Sequence, residues 1–240
     1  MPKFFKENFE QAPFIDGLDA SHISKVLRMK PGEFLTVCDT KGFDYECVIT
    51  ESRPELVSLK VEEKHRNETE PQTKLTLFQC LPKSDKMDLI VRQATEIGAA
   101  AVVPVLSERC VSRPDPKAAA KKIARWQKIA FSAAGQCGRG VIPQIKELIT
   151  FKKSVEMFND FDKVIFFCER GGKRLSDIVD GTARKIAIFV GPEGGFSVEE
   201  EELANSFSAV SATLGKRILR CETAPLAAAA CVMLLSGEMD

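Results

Sequence analysis

Ile186–Phe196, IAIFVGPEGGF, is the stretch on which the reading of this chain turns. Ile186–Val190 is a short run of uninterrupted apolar residues, the pattern of a strand covered on both faces in a parallel sheet. The run stops at Gly191-Pro192-Glu193-Gly194-Gly195. Glycines around a proline let a backbone approach a ligand closely and adopt positive φ where a turn needs it. Ser197 and Glu200 then satisfy the capping-box pattern, so a helix starts there and its free N–H groups face the crevice beyond the strand. The spacing is neither a Walker loop nor the G-x-G-x-x-G dinucleotide fingerprint. A tight strand–helix turn explains the glycines, but it gives Glu193 no reason to stand among them.

Working outward, Leu75–Cys80, Ala99–Leu106 and Lys163–Cys168 are strands of the same kind. Between them fall predicted helices at Ser84–Ile97, with Met87, Ile90, Val91 and Ala94 on one face, and from Asp115-Pro116 to about Ala134. A further helix is expected near Phe151–Phe158. This alternation predicts an α/β domain over residues 74–240. The first 70 residues differ. A helical stretch at Ser21–Met29 is broken by Pro31-Gly32, and three alternating runs follow at Phe34–Cys38, Tyr45–Thr50 and Leu56–Val61. They favour a small barrel or meander over residues 1–70, and polar Lys64–Thr73 suits a linker.

Ligands of open α/β sheets gather at the carboxyl ends of the strands. Besides the GPEGG loop, two such ends are unusual. Leu214–Pro225, LGKRILRCETAP, follows the probable strand Ser211–Leu214 and leads into an alanine-rich helix. It reads either as one more strand or as a loop with Ile218 and Leu219 lining an adenine pocket and Arg220 and Glu222 facing a substrate. Cys168-Glu169-Arg170-Gly171-Gly172 follows KVIFFC and, alone, is only a turn.

Lys plus Arg and Asp plus Glu balance at 34 each, which excludes nucleic-acid binding by bulk charge. The distribution is uneven. Residues 1–70 hold 10 basic and 14 acidic residues, whereas Glu108–Lys146 holds nine basic and two acidic ones. A phosphate-bearing partner would meet that basic stretch, which otherwise is a solvated helix face. The eight cysteines are scattered without a C-x-x-C, and His22 and His65 stand apart from them, so no metal site and a reducing compartment are expected. The N-terminus does not read as a signal peptide, and the longest apolar stretch, Leu226–Leu235, is too short to span a membrane. A cytoplasmic location is expected.

GPEGGFSVEE followed by LGKRILRCETAPLAAAA resembles the paired signature of the RsmE family of methyltransferases, in the SPOUT class. Earlier segments match in order: His22 with Val26-Leu27-Arg28, Lys83 through Gly98, Glu108-Arg109 with Ser112, and Arg125-Trp126 leading to Ala134, Gln136 and Arg139. The sequence departs from the pattern at Cys137 and Cys221, where small hydroxyl residues are expected, and lacks the acids usual before Gln136.

The resemblance implies a SPOUT-like domain with a parallel sheet and a C-terminal trefoil knot, a small N-terminal PUA-like β-barrel, and a homodimer. It also implies transfer of a methyl group from S-adenosyl-L-methionine to uracil N3 in 16S ribosomal RNA of the small subunit. Gly191, Gly195, Leu214, Gly215, Ile218, Leu219 and Glu169 would then hold the methyl donor. Arg220 would stabilise charge developing on the uracil oxygens, and Glu193 or Glu222 would accept the N3 proton if burial raised its pKa. His22, Arg28, Arg109, Arg113, Arg125 and Arg139 would contact RNA. Three rivals remain open at this point: a SPOUT enzyme methylating a ribose 2′-hydroxyl of transfer RNA, a catalytically inactive ribosome-assembly protein that binds RNA, and, more remotely, a nucleotide-binding regulator using the same crevice.

Overall fold

A computed structural model describes residues 1–239. The chain divides into two compact units, Met1–Glu70 with Ala134–Ile142, and Pro71–Ala133 with the described residues from Pro143 onward. The sequence reading gave residues 134–142 to the second domain; in the structure they are part of the first.

The first unit is built on β1 (Lys3–Phe5), β2 (Phe14–Asp16), β3 (Phe34–Cys38), β4 (Phe43–Ser52) and β5 (Leu56–Arg66). They form a curled sheet in the order β1-β3-β4-β5-β2, antiparallel except for β1 on β3. Beneath it Phe4, Phe9, Ile23, Leu35, Tyr45 and Ile49 make one core. The expected helix at Ser21–Met29 starts earlier, as α1 (Gly17–Ser21), and loosens into a π-helical turn at His22–Val26. The Leu27 N–H reaches back to the His22 carbonyl, and Arg28 at φ 55° ends the turn. Strand β5 runs further than expected, to Arg66, because its last residues are solvent-facing and lose the alternation that marked Leu56–Val61.

The second unit is the predicted α/β layer. Its strands are β6 (Lys74–Cys80), β7 (Ala101–Leu106), β8 (Gln144–Ile145), β9 (Ile149–Thr150), β10 (Lys163–Phe167), β11 (Lys173–Arg174), β12 (Lys185–Val190) and β13 (Val210–Thr213). All pair in parallel, in the order β11-β13-β10-β12-β6-β7-β8, with β9 also on β7. The helices are α2 (Lys86–Glu96), α3 (Pro116–Gln136), α4 (Phe151–Val155), α5 (Val198–Ser206) and α6 (Ala224–Leu235). The apolar runs have the burial that their sequence requires: Ile186, Ala187, Ile188 and Phe189 are all fully buried. Phe189 stacks on Phe78 across the strand pair at 4.3 Å, and Phe158 meets its edge at 4.9 Å. Such ring pairs add about 0.5–1.5 kcal/mol each beyond their burial. Glycine is obligatory at Gly172, where a Cβ would stand 2.6 Å from the Ser211 carbonyl and block the approach of β11 to β13.

Among the described residues, no helix is long and apolar enough to cross a membrane. No group of three or more His, Cys, Asp or Glu among them could hold a metal ion.

Candidate active site

Parallel register brings the ends of four strands to one edge of the sheet. Phe167 of β10 lies opposite Val190 of β12 on one side and Ala212 of β13 on the other, and Val190 lies opposite Gln79 of β6. The loops leaving these ends surround a cavity of about 500 Å³. Expected residues lining it are Glu169 after β10; Gly191, Glu193 and Gly195 after β12; and Leu214, Gly215, Ile218, Leu219 and Arg220 after β13. Leu214–Pro225 is therefore no additional strand: β13 ends at Thr213 and the segment is loop until α6 begins at Ala224.

The GPEGG loop is fixed from several sides. The Gly195 N–H closes a turn onto the Pro192 carbonyl at 2.9 Å, with Gly195 at φ 64°, a conformation that side chains rarely adopt. Phe196 then drops into the core and meets the Phe166 ring at 4.1 Å. Ser197 and Glu200 form the predicted capping box, a feature that contributes about 1 kcal/mol to a helix. The second oxygen of Glu200 accepts from the Glu108 N–H at 2.8 Å, which ties the loop after β7 to the start of α5. Beneath the loop, fully buried Gln79 directs its amide toward the Gly191 carbonyl at 3.4 Å.

The charges converge on Lys86, in the first turn of α2, a residue the sequence reading did not single out. Its Nζ lies 2.9 Å from Glu193 Oε1, 3.1 Å from Glu222 Oε2 and 3.4 Å from Cys221 Sγ. The Lys83 N–H also donates to both oxygens of Glu193, at 3.2 and 3.3 Å. Burial alone would raise the Glu193 pKa; Lys86 and the backbone donors outweigh it and bring the group down to about 2. The hydrogen bond from Lys86 likewise lowers Glu222. The expectation that burial tunes one of these carboxylates upward is thus not met: ammonium and N–H donors favour the charged form more than desolvation opposes it. The Cys221 thiol is pushed up to about 12, first by burial and then by the two carboxylates, and donates to Glu222 Oε2 at 3.3 Å.

Arg220 presents an exposed side chain to the cavity, its backbone carbonyl accepting from the Thr223 and Ala224 N–H groups. Ile218 also lines the cavity and is 77% exposed, a large apolar side chain without a protein cover.

The residues expected to meet RNA scatter. Arg109 lines the cavity and donates from Nη1 to the Gly194 carbonyl at 2.9 Å. Arg113 is spent on the Ser107 and Glu108 carbonyls, at 3.0 and 2.7 Å. Arg125 pairs with Asp88, which also accepts from Trp126 Nε1 at 3.1 Å, yet it stays exposed beside Lys121 and Lys128 on α3. His22 and Arg28 are exposed on the first unit. Arg139 is a correction: it is only 4% exposed, and its Nε and Nη2 grip the Glu70 carboxylate at 3.1 and 2.8 Å. It is an internal clamp of the first unit, since the same carboxylate accepts from the Gly140 and Val141 N–H groups.

Comparison with known proteins gives a consistent result. Residues 68–233 match the family model of an RNA methyltransferase domain, and residues 15–62 that of an RNA methyltransferase PUA domain. The ribosomal RNA small subunit methyltransferase E of Bacillus subtilis (strain 168) is 35% identical, covering 97% of this chain and 96% of its own. A crystal structure of a ribosomal RNA small subunit methyltransferase E from Neisseria gonorrhoeae bound to S-adenosyl methionine superposes with a TM-score of 0.88 at 34% identity, over 98% of each chain. A methyltransferase structure from Legionella pneumophila in complex with the same cofactor gives 0.89 at 26% identity, over 98% of this chain and 97% of that one. With a glycine loop and an arginine loop sharing one cavity at the strand ends, and with relatives matched over nearly their whole length, the chain belongs to the ribosomal RNA small subunit methyltransferase E family.

Proposed function

We propose that this protein transfers the methyl group of S-adenosyl-L-methionine to N3 of a specific uridine in 16S ribosomal RNA of the small subunit. In this reading it works in the cytoplasm as a homodimer, and its C-terminal segment is threaded as a trefoil knot. The observation that carries the proposal is the meeting of two loops, GPEGG and LGKRILRCETA, around one cavity at the carboxyl ends of a parallel sheet.

The cavity suits this methyl donor. About 500 Å³ is the size of a small-molecule site. Its walls combine apolar groups (Phe167, Val190, Leu214, Ile218, Leu219) with glycine backbone, the acids Glu169, Glu193 and Glu201, and basic side chains that include Lys86, Arg109 and Arg220. That mixture matches a flat base joined to a ribose and a charged arm. Nothing stands within 4 Å of where a Cβ would sit on Gly195 or Gly215, so the backbone there is open to a ligand. S-adenosylmethionine, when bound, supplies an activated methyl on a cationic sulfur. Leu214, Ile218 and Leu219 would cover its adenine, which gives exposed Ile218 the apolar cover it lacks. Gly191, Gly195 and Gly215 would offer backbone groups, and Glu169 would accept from the ribose hydroxyls.

Methyl transfer to a ring nitrogen is an in-line displacement, so the chain must hold donor and base in a near-attack arrangement. Uracil N3 lies on the pairing edge, and the base must be unpaired to present it. Arg220 would face the uracil oxygens and stabilise the charge that develops there as the N3 proton passes to solvent water and N3 takes the methyl group. Glu193 and Glu222, held ionised by Lys86, are weak proton acceptors; their work is to anchor Lys86. The RNA backbone would lie along the exposed basic side of α3, through Lys121, Arg125 and Lys128, with Arg109 at the cavity; His22 and Arg28 are the first unit's own candidates for RNA contact.

The test is to incubate the protein with methyl-labelled donor and small ribosomal subunits lacking the modification, then identify the nucleoside by mass spectrometry. The account predicts 3-methyluridine in 16S RNA. A label on a ribose 2′-oxygen would contradict the base specificity, and donor binding without any transfer would identify a binding protein.

A further inference from the structure

The cavity's two loops are joined by a cation from a third element. Glu193 belongs to the loop between β12 and α5, and Glu222 to the connection between β13 and α6. Lys86 stands on α2 and touches both, with Nζ 2.9 Å from Glu193 Oε1 and 3.1 Å from Glu222 Oε2. Cys221, the neighbour of Glu222, takes a third contact from the same Nζ at 3.4 Å. All three charged side chains are partly covered, at 32% exposure for Lys86, 27% for Glu193 and 20% for Glu222. Lys86, Glu193 and Cys221 all line the cavity itself.

Resting on the methyl-transfer reading of this site, we propose that Lys86 is its positioning residue. Its ammonium clamps the GPEGG loop to the LRCET loop and so sets the shape that receives the methyl donor. The physical reason is the arrangement of like charges. Two carboxylates brought to one point repel, and each holds its charge here because a cation stands between them. Removing the cation leaves two adjacent anions on two separate loops, which then relax apart. Partly exposed ion pairs add little to global stability, so the clamp acts on the geometry of the pocket, where small displacements are costly. Cys221 stays a neutral thiol, accepting from Lys86 and donating to Glu222, and adds no third negative charge. An arginine could bridge the same two carboxylates with its fork; an uncharged chain of equal length could not.

The experiment compares the full-length protein with its Lys86→Met and Lys86→Arg variants in two measurements. The first is amide hydrogen exchange of residues 191–196 and 214–222 without any ligand. The second is steady-state methylation of small ribosomal subunits, yielding separate KM values for donor and RNA. Lys86→Met is expected to speed exchange in both loops and raise the donor KM about tenfold, leaving the subunit KM unchanged. Lys86→Arg is expected to restore most of both. Exchange unchanged in Lys86→Met overturns the clamp, whatever happens to KM. Faster exchange with an unchanged donor KM overturns the positioning role, and so does a parallel rise of both KM values with a fall in melting temperature. If Lys86→Met does not fold, Lys86→Gln carries the same comparison. Should the parent protein transfer no methyl group, the methyl-transfer reading fails by itself, and the exchange arm still decides whether Lys86 clamps the loops.

Discussion

The two units each contain an ion cluster built around a single cation, and the clusters are put to opposite uses. In the first unit Arg139 and Glu70 are 5% and 14% exposed, and the carboxylate is completed by two backbone N–H groups. In the second, Lys86 holds two carboxylates at a cavity wall, and all three side chains keep contact with solvent. A buried, fully bonded pair is hard to break because either partner left alone is an uncompensated charge. A triad that keeps a fifth to a third of its surface in solvent is cheaper to rearrange and useful where a pocket must fit a ligand. The first cluster fastens residues 134–142 to the unit; the second shapes a site.

The largest effect that would break this contrast is on stability. Arg139→Met should destabilise the protein by about 3–5 kcal/mol, as breaking a buried pair does, read from denaturant midpoints. RNA affinity of the molecules that remain folded should keep its salt dependence. A stable variant with a flattened salt slope would return Arg139 to the RNA surface.

Next in size is Arg220→Ala. It should lower turnover by about 10²–10³-fold, the usual loss for one stabilising donor, with donor affinity by calorimetry nearly intact. Equal loss of both would make Arg220 part of the donor site.

A smaller effect is a pH dependence in the second cluster. Glu193 is held at about 2, against an ordinary 4.5, so the small contribution of its pairing to stability is complete above about pH 4.5 and is lost as pH falls toward 2. The melting temperature of Glu193→Gln should therefore lie below that of the parent at neutral pH, and the gap should close across that acid window. A gap that persists below it would mean that the carboxylate's charge is not what counts.

The smallest effect concerns α3. Replacing Lys121, Arg125 and Lys128 with Gln should flatten the slope of log affinity against log salt by about 2–3, with donor KM unchanged. An unaltered slope would move the RNA path elsewhere.

What could be read beforehand was whatever the chain states locally. The buried strands announced themselves as apolar runs, and Ser197 with Glu200 announced the start of α5, because strand burial and capping depend on near neighbours. The pairing of charges does not. Arg139 counted as one of nine basic residues in a polar stretch, and nothing near it in sequence showed that Glu70, 69 positions earlier, would take it inside. Lys86 looked like any lysine in the first turn of an amphipathic helix, since its partner Glu193 lies 107 positions away. The one signal was Glu193 itself, an acid that a strand–helix turn did not explain, but nothing in the sequence pointed from it to Lys86. The same limit explains the end of β5, where solvent-facing residues follow the strand without an apolar pattern.

The whole reading stands on what occupies the space between the two loops. A crystal of the protein grown with S-adenosylhomocysteine, the demethylated donor, measures that directly. The predicted density lies against Gly191, Gly195, Gly215, Ile218 and Leu219, with Glu193 still joined to Lys86. A ligand bound elsewhere, or none at saturating concentration, would contradict it.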